Sequence, residues 1–146
     1  AARTDGRLPR RGIAIFLFLA GSSLVVWLLD IASALAQGSA PANLGPYTTE
    51  VTYVIDLGLI MPAAYLAGVL VWRRRPLGTL LAAVLITLNM MVGLVVVSQS
   101  VMQALAGIAL SPATLATYVA PFALLGLIAF GLVLSIVRHI SDLPRD

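Results

Sequence analysis

The segment IAIFLFLAGSSLVVWLL, residues 13–29, decides the fold class because it continues without a single charged residue. A helix needs about 20 consecutive apolar residues to cross the hydrocarbon core of a bilayer. With its flanks, this segment supplies such a stretch from about 12 to 37. It shows no alternation of polar and apolar residues, which excludes a half-buried β-strand. The segment therefore predicts a membrane-spanning helix.

Three further apolar segments lie at about 51–72, 77–97 and 111–137, and the middle one either ends near 97 or continues toward 110. Ser111-Pro112 has the residue types typical of a helix start. Because short loops join the segments, neighbouring helices are expected to be antiparallel. The sequence predicts an all-α integral membrane protein with a four-transmembrane-helix antiparallel bundle at 12–137. A basic segment (1–11) precedes the bundle and a short tail (138–146) follows it.

The composition agrees with this fold class and excludes several functions. Hydrophobic residues make up 60% of the 146-residue chain and charged residues 10%, against roughly 25% charged residues in soluble domains. The chain has no cysteine and one histidine. Disulfides, thiol nucleophiles, iron–sulfur clusters and histidine-rich metal or haem centres are therefore excluded. We expect no cofactor and no metal.

The distribution of basic residues predicts the orientation of the bundle. Apart from the histidine, all of them are arginines, and they precede the first span, separate the second from the third, or follow the fourth. Cytoplasmic loops carry the excess of Lys and Arg in membrane proteins, so both termini are predicted to be cytoplasmic. The arginines and the interfacial Trp72 are expected to contact anionic membrane lipids, whereas nucleic acid is not an expected partner. The arginines are Arg3, Arg7, Arg10, Arg11, Arg73, Arg74, Arg75, Arg138 and Arg145.

Two carboxylates lie inside the predicted spans, Asp30 in the first and Asp56 in the second. At about 1.5 Å of rise per residue, each lies roughly 8 Å outward of the membrane midplane. On the same measure, Tyr118 of the fourth span lies about 9 Å outward and Asn89 of the third span lies near the midplane. Acidic residues inside a membrane often mark ion, proton or substrate pathways. These four side chains predict an outward-facing polar pocket that binds a ligand or a proton.

Two prolines extend this candidate pocket to the backbone. Pro62 leaves the carbonyl of Gly58 without its helical donor, and Pro121 does the same to Thr117. Both carbonyls are predicted to join the pocket. The carboxylates also permit a structural interpretation, because no basic residue lies inside a span to pair with them. A buried carboxyl group that takes up a proton can hold helices together by hydrogen bonds, and the sequence leaves both interpretations open.

Small residues indicate where helices pack closely. Ala64-x-x-x-Gly68 and Gly131-x-x-x-Ser135 have the spacing of small residues at helix contacts in membranes. The leading functional hypothesis is a non-enzymatic membrane protein that binds or moves a small solute, cation or proton through the pocket. It would act as a homo-oligomer or with other membrane subunits. The alternative is a structural or assembly subunit of a larger membrane complex, and a membrane-embedded enzyme is the third possibility.

The segment 47–78 resembles a stretch found in uncharacterised bacterial multi-pass inner-membrane proteins. The shared features are the run Asp56-Leu57-Gly58-Leu59, the following Pro62 and the arginine-rich turn Arg73–Arg75. The resemblance implies a multi-pass protein of the bacterial cytoplasmic (inner) membrane. It implies no activity, so no functional residues are transferred from it.

Overall fold

A computed structural model describes residues 9–41 and 51–141 of the chain. Within these ranges the chain is helical without a strand, and four helices are long and apolar enough to cross a membrane, which confirms the predicted helical class. Arg3, Arg7, Arg145 and the loop residues 42–50 lie outside the described ranges. The helices are α1 (Arg10–Gln37), α2 (Val51–Trp72), α3 (Pro76–Leu105) and α4 (Pro112–Arg138); the backbone of α4 remains helical to Ser141.

The ends of α3 and α4 follow the local sequence. α3 is continuous to Leu105, so the third apolar segment remains one helix well beyond 97. At the start of α4, the hydroxyl oxygen of Ser111 accepts a hydrogen bond from the N–H of Thr114 at 3.0 Å, and Pro112 follows. This cap satisfies a donor that the first turn of a helix would otherwise leave unpaired. The predicted start of the fourth helix is confirmed.

α1 is interrupted at Leu24, between the α-helical segments Arg10–Ser23 and Val25–Gln37. The hydroxyl of Ser23 donates to the carbonyl of Ala20 at 2.8 Å. Serine side chains that bond to the preceding turn, and Gly–Ser sequences in general, bend helices. The interruption at Leu24 therefore has a local cause in these residues.

α2 and α4 each contain a π-helical segment just before a proline. The segment Asp56–Ile60 precedes Pro62, and Leu115–Val119 precedes Pro121 with the same offset. A π-helical turn shifts hydrogen-bond partners by one residue and so accommodates the N–H that proline lacks. The N–H of Met61, for example, bonds to the carbonyl of Asp56. The prolines thus produce wide helical turns.

All arginines among the described residues lie at one end of the bundle, where α1 and α3 begin and α2 and α4 end. We call it the arginine end, and the opposite end the far end. The apolar core fills the half of the bundle nearer the arginine end, where Leu17 and Ile86 are fully buried. Large apolar side chains cover the outside, with Leu29, Leu94 and Leu127 all more than 60% exposed. An apolar exterior of this extent suits a lipid environment better than water.

Glycines allow the closest helix contacts. A Cβ atom on Gly93 of α3 would lie 2.5 Å from the Cα of Gly126 on α4, so neither position has room for a side chain. On α2, a Cβ atom on Gly68 would lie 2.9 Å from the ring of Phe18 on α1. Gly68 thus packs against another helix, as its spacing from Ala64 predicts. At Gly131, by contrast, a Cβ atom would have no atom of the described residues within 4 Å.

The turn between α2 and α3 adopts a left-handed conformation at Arg74, with φ 56°. The N–H of Arg74 bonds to the carbonyl of Val71 at 3.0 Å, and the N–H of Arg75 bonds to that of Leu70 at 2.9 Å. This pair of bonds is a Schellman motif, in which the left-handed position usually carries glycine. A non-glycine residue there costs roughly 1–2 kcal/mol.

Candidate functional site

An aromatic residue precedes an aspartate by three positions on both α1 and α2. On α1 these are Trp27 and Asp30, and on α2 they are Tyr53 and Asp56. Residues three apart lie on the same face of a helix. Because the two helices are antiparallel neighbours, the aromatic residue of each helix lies at the level of the aspartate of the other.

The structure joins the four residues by two reciprocal hydrogen bonds. The indole N–H of Trp27 donates to Asp56 Oδ2 at 3.0 Å, and the hydroxyl of Tyr53 donates to Asp30 Oδ2 at 2.6 Å. The two rings stack on each other, with centroids 4.6 Å apart and an angle of 24° between their planes. Both carboxyl groups are half-buried, and Tyr53 is buried. We call these four residues the crossed pairs.

The stack extends to α4. The ring of Tyr118 lies 5.9 Å from that of Trp27 at an interplanar angle of 14°, and the ring of Phe122 lies 6.1 Å from it at 19°. Aromatic rings at such separations stabilise one another by roughly 0.5–1.5 kcal/mol beyond the burial of their area. The rings of three helices therefore form one continuous aromatic wall.

This wall borders a cavity of about 420 Å³ at the far end, which we call the aromatic cavity. Three aromatic side chains of the wall line it, those of Trp27, Tyr53 and Tyr118. Its volume falls within the range of roughly 300–1,000 Å³ that is usual for small-molecule sites. The polar lining residues are uncharged amides and hydroxyls, namely Thr52, Gln99, Ser100, Gln103 and Thr114.

The charges around the aromatic cavity favour a cation over an anion. Among the described residues, no arginine contributes to the lining, and the faces of Trp and Tyr rings attract cations through their quadrupoles. Asp56 and Asp30 accept hydrogen bonds from the ring edges of Trp27 and Tyr53, two of the residues that line the cavity. In their ionised form, the carboxylates would add a negative potential to that of the rings. A positively charged solute fits this arrangement best.

The sequence-predicted candidates occupy different places relative to the cavity. Tyr118 lines it, whereas Asp30 and Asp56 do not line it but accept hydrogen bonds from lining residues. Asn89 donates from its side-chain amide to the carbonyl of Leu85 at 3.0 Å, within α3 itself. It precedes the cavity-lining Gln99 by ten positions, or about 15 Å along the helix. Asn89 is therefore not brought to the cavity.

Gly58 and Thr117 are also not brought to the aromatic cavity. Each is the central residue of a π-helical segment, and each is exposed. A Cβ atom on Gly58 would have no atom of the described chain within 4 Å, so this side of α2 faces away from the bundle. The physical reason is the π-helical turn, which accommodates the missing proline N–H without opening the helix toward the interior.

Sequence reasoning missed two aromatic residues, Trp27 and Tyr53, that carry the wall. A signal for them was present in the repeated aromatic-x-x-Asp spacing, because antiparallel helices with the same spacing form reciprocal contacts. It also missed the amides of Gln99 and Gln103, which line the cavity from α3. These are four positions apart and thus share one helix face.

No protein-family model matches the chain, and comparisons with curated proteins and with solved structures found no match. The function of the site is therefore inferred from its geometry and chemistry.

Proposed function

We propose that the chain is a four-span protein of the bacterial inner membrane that binds a small, positively charged solute in the aromatic cavity. The apolar exterior supports the membrane location, and the arginines at one end support cytoplasmic termini through the positive-inside rule. The resemblance of the segment 47–78 to bacterial inner-membrane proteins supports the choice of membrane. With both termini in the cytoplasm, the far end of the bundle faces the outer side of the membrane, and the aromatic cavity at this end opens there.

One observation carries the proposed activity: two aromatic residues that line the cavity donate hydrogen bonds to two carboxyl groups. A cation that enters loses part of its hydration shell, and the electron-rich aromatic lining, with Tyr118 at its edge on α4, compensates for part of this loss. The side-chain oxygens of Gln99 and Gln103 can accept hydrogen bonds from the solute or from water that remains with it. A quaternary ammonium group suits such a site because it has no N–H donors and therefore requires no hydrogen-bond acceptors around it.

The packing favours binding at the far end over conduction through a single bundle. Toward the arginine end, the interior is filled by apolar side chains, among them Leu17 and Ile86, which are fully buried. A hydrated cation would pay a large desolvation penalty there. Movement across the membrane would require additional copies or other membrane subunits.

Choline and its neutral isostere 3,3-dimethylbutan-1-ol test this proposal. They share shape and hydroxyl group but differ in charge. Isothermal titration calorimetry of the full chain in lipid nanodiscs is expected to show saturable binding of choline, with the neutral isostere at least tenfold weaker. Absence of choline binding, or equal affinities for the two compounds, would refute a cation site.

The second candidate function, an assembly subunit, is favoured by the open position of Gly131. A Cβ atom placed on it would meet no described atom within 4 Å, so its small-residue spacing with Ser135 is not used inside the described bundle. Energy transfer between labelled copies in liposomes tests docking of a second copy at this face. Gly131→Leu should reduce the transfer, whereas Gly58→Leu, at another open glycine, should not. Equal transfer in both variants would argue against docking at Gly131.

A further inference from the structure

A second cavity, of about 250 Å³, lies at the arginine end. Its lining combines the start of α1, which supplies Arg10 and Arg11, with the end of α2 and the turn that follows it, which supply Trp72 and Arg74. Three arginine residues from two separate parts of the chain thus border one small space. We call it the arginine cavity, and it lies at the opposite end of the bundle from the aromatic cavity.

Close packing fixes the two elements that form this cavity. Ile13 and Ala14 of α1 and Val71 of α2 are buried in the same apolar cluster. A Cβ atom on Gly78 would lie 2.5 Å from the backbone nitrogen of Val71, so α3 begins in direct contact with the end of α2. The backbone that carries the arginines is therefore held in place by the packing of α1 against α2 and by the contact of α3 with the end of α2.

Arg74 occupies a position that the same chain elsewhere fills with glycine. The Schellman motifs at the ends of α1 and α3 place Gly38 (φ 63°) and Gly107 (φ 77°) in the left-handed position. Among the described residues, Arg74 is the non-glycine residue with a positive φ. Strained backbone conformations concentrate at ligand sites. Arg74, which occupies this strained position, also lines the arginine cavity.

We propose that the arginine cavity binds one phosphate group. Guanidinium groups bind phosphate oxygens through pairs of parallel N–H donors, and several of them around one space can satisfy several oxygens. Basic pockets between membrane helices bind the head groups of anionic lipids. Trp72, 58% exposed beside the cavity, is of the type that anchors at the lipid headgroup level. The phosphate belongs to a phospholipid head group or to a soluble phosphate compound.

Native mass spectrometry of the full chain in detergent tests the proposal, with phosphatidic acid and inorganic phosphate as probes. The unmodified chain should retain one molecule of phosphatidic acid. Arg74→Gly should weaken this binding at least tenfold, because it removes a guanidinium from the cavity. Arg73→Gln is the matched control: it removes the same charge from the adjacent position, which does not line the cavity, and it should change the affinity less than twofold.

Folding defects do not explain the expected loss, because Arg74→Gly introduces the residue that the left-handed backbone favours. Circular dichroism of both variants checks this directly. Equal losses in Arg73→Gln and Arg74→Gly would overturn the proposal and indicate diffuse attraction of anions to the surface.

Competition distinguishes the two sources of phosphate. Displacement of phosphatidic acid by millimolar inorganic phosphate would assign the cavity to soluble phosphates, and resistance to it would assign the cavity to lipid head groups. The result is independent of cation binding in the aromatic cavity, because none of the described residues lines both cavities.

Discussion

The ring of Trp27 stacks on that of Tyr53 with centroids 4.6 Å apart, and each ring donates a hydrogen bond to the aspartate on the other's helix. This arrangement braces α1 against α2 in the half of the bundle that the apolar core does not fill. It also keeps two carboxyl groups close to the aromatic cavity without exposing them in its lining. The same four residues thus contribute to stability and to the electrostatics of the proposed site.

Removal of the hydroxyl of Tyr53 tests the brace. Tyr53→Phe deletes the 2.6 Å bond to Asp30 and leaves that carboxyl without this donor. The free energy of unfolding should fall by about 1–3 kcal/mol. Tyr65→Phe is the control, because its bond to Ser22 is exposed to the exterior, and it should have the smaller effect. Unfolding titrations in mixed micelles measure both, and an equal effect would contradict the brace.

The close contact between Gly93 and Gly126 predicts that a side chain at Gly93 destabilises the bundle. Gly93→Ala would place a Cβ atom 2.5 Å from the Cα of Gly126, so α3 and α4 must move apart. We expect a loss of about 1–3 kcal/mol in the free energy of unfolding, as is usual for overpacking. Gly131→Ala, where a Cβ atom meets open space, should leave stability unchanged or slightly raise it. Thermal unfolding in detergent measures both variants, and an unchanged midpoint for Gly93→Ala would be evidence against the contact.

The sequence predicted the helices well because their signal is local. Length and apolarity identify a spanning helix without knowledge of its neighbours, and Ser111-Pro112 marks a helix start through bonds within one turn. The interruption of α1 also has a local cause, in Ser23 and its bond to the carbonyl of Ala20.

The site was predicted only in part because it depends on contacts between helices. Asp30 and Asp56 were expected to share one pocket, and the structure links each of them to an aromatic donor of the neighbouring helix. Helical spacing places residues on a face of their own helix, but it does not show which neighbour they meet. The effect of Pro62 on Gly58 was inferred for an α-helix, whereas the chain forms a π-helical turn there.

The turn at Arg74 predicts an unusual stabilising substitution. Arg74→Gly should raise the free energy of unfolding by about 1 kcal/mol, because glycine adopts a positive φ without steric cost. Gly107→Ala, at the equivalent position after α3, should lower it by a similar amount. Chemical unfolding without added phosphate or anionic lipid measures both. A destabilised Arg74→Gly variant would show that the arginine side chain supports the fold itself.

Replacing the carboxyl group of Asp56 should weaken the binding of a cation but not that of a neutral ligand. Asp56→Asn keeps the shape of the side chain and an acceptor oxygen for Trp27 but replaces the carboxyl with a group that cannot ionise. Choline should bind several-fold more weakly, because the attraction between the two charges is lost. The neutral isostere 3,3-dimethylbutan-1-ol should bind as before. If both ligands lose affinity equally, Asp56 acts through the structure of the wall instead of through its charge.

The affinity of choline for Tyr118→Leu tests the aromatic cavity most directly. Loss of one aromatic face from a desolvated cation site costs roughly 1–2 kcal/mol, so calorimetry should show binding weakened about tenfold. Tyr118→Phe keeps the aromatic ring and should bind choline nearly as tightly as the unmodified chain. Tyr65→Leu should also keep its affinity for choline, because Tyr65 does not line the cavity. Unchanged choline affinity in Tyr118→Leu, or an equal loss in Tyr65→Leu, would contradict the proposed site.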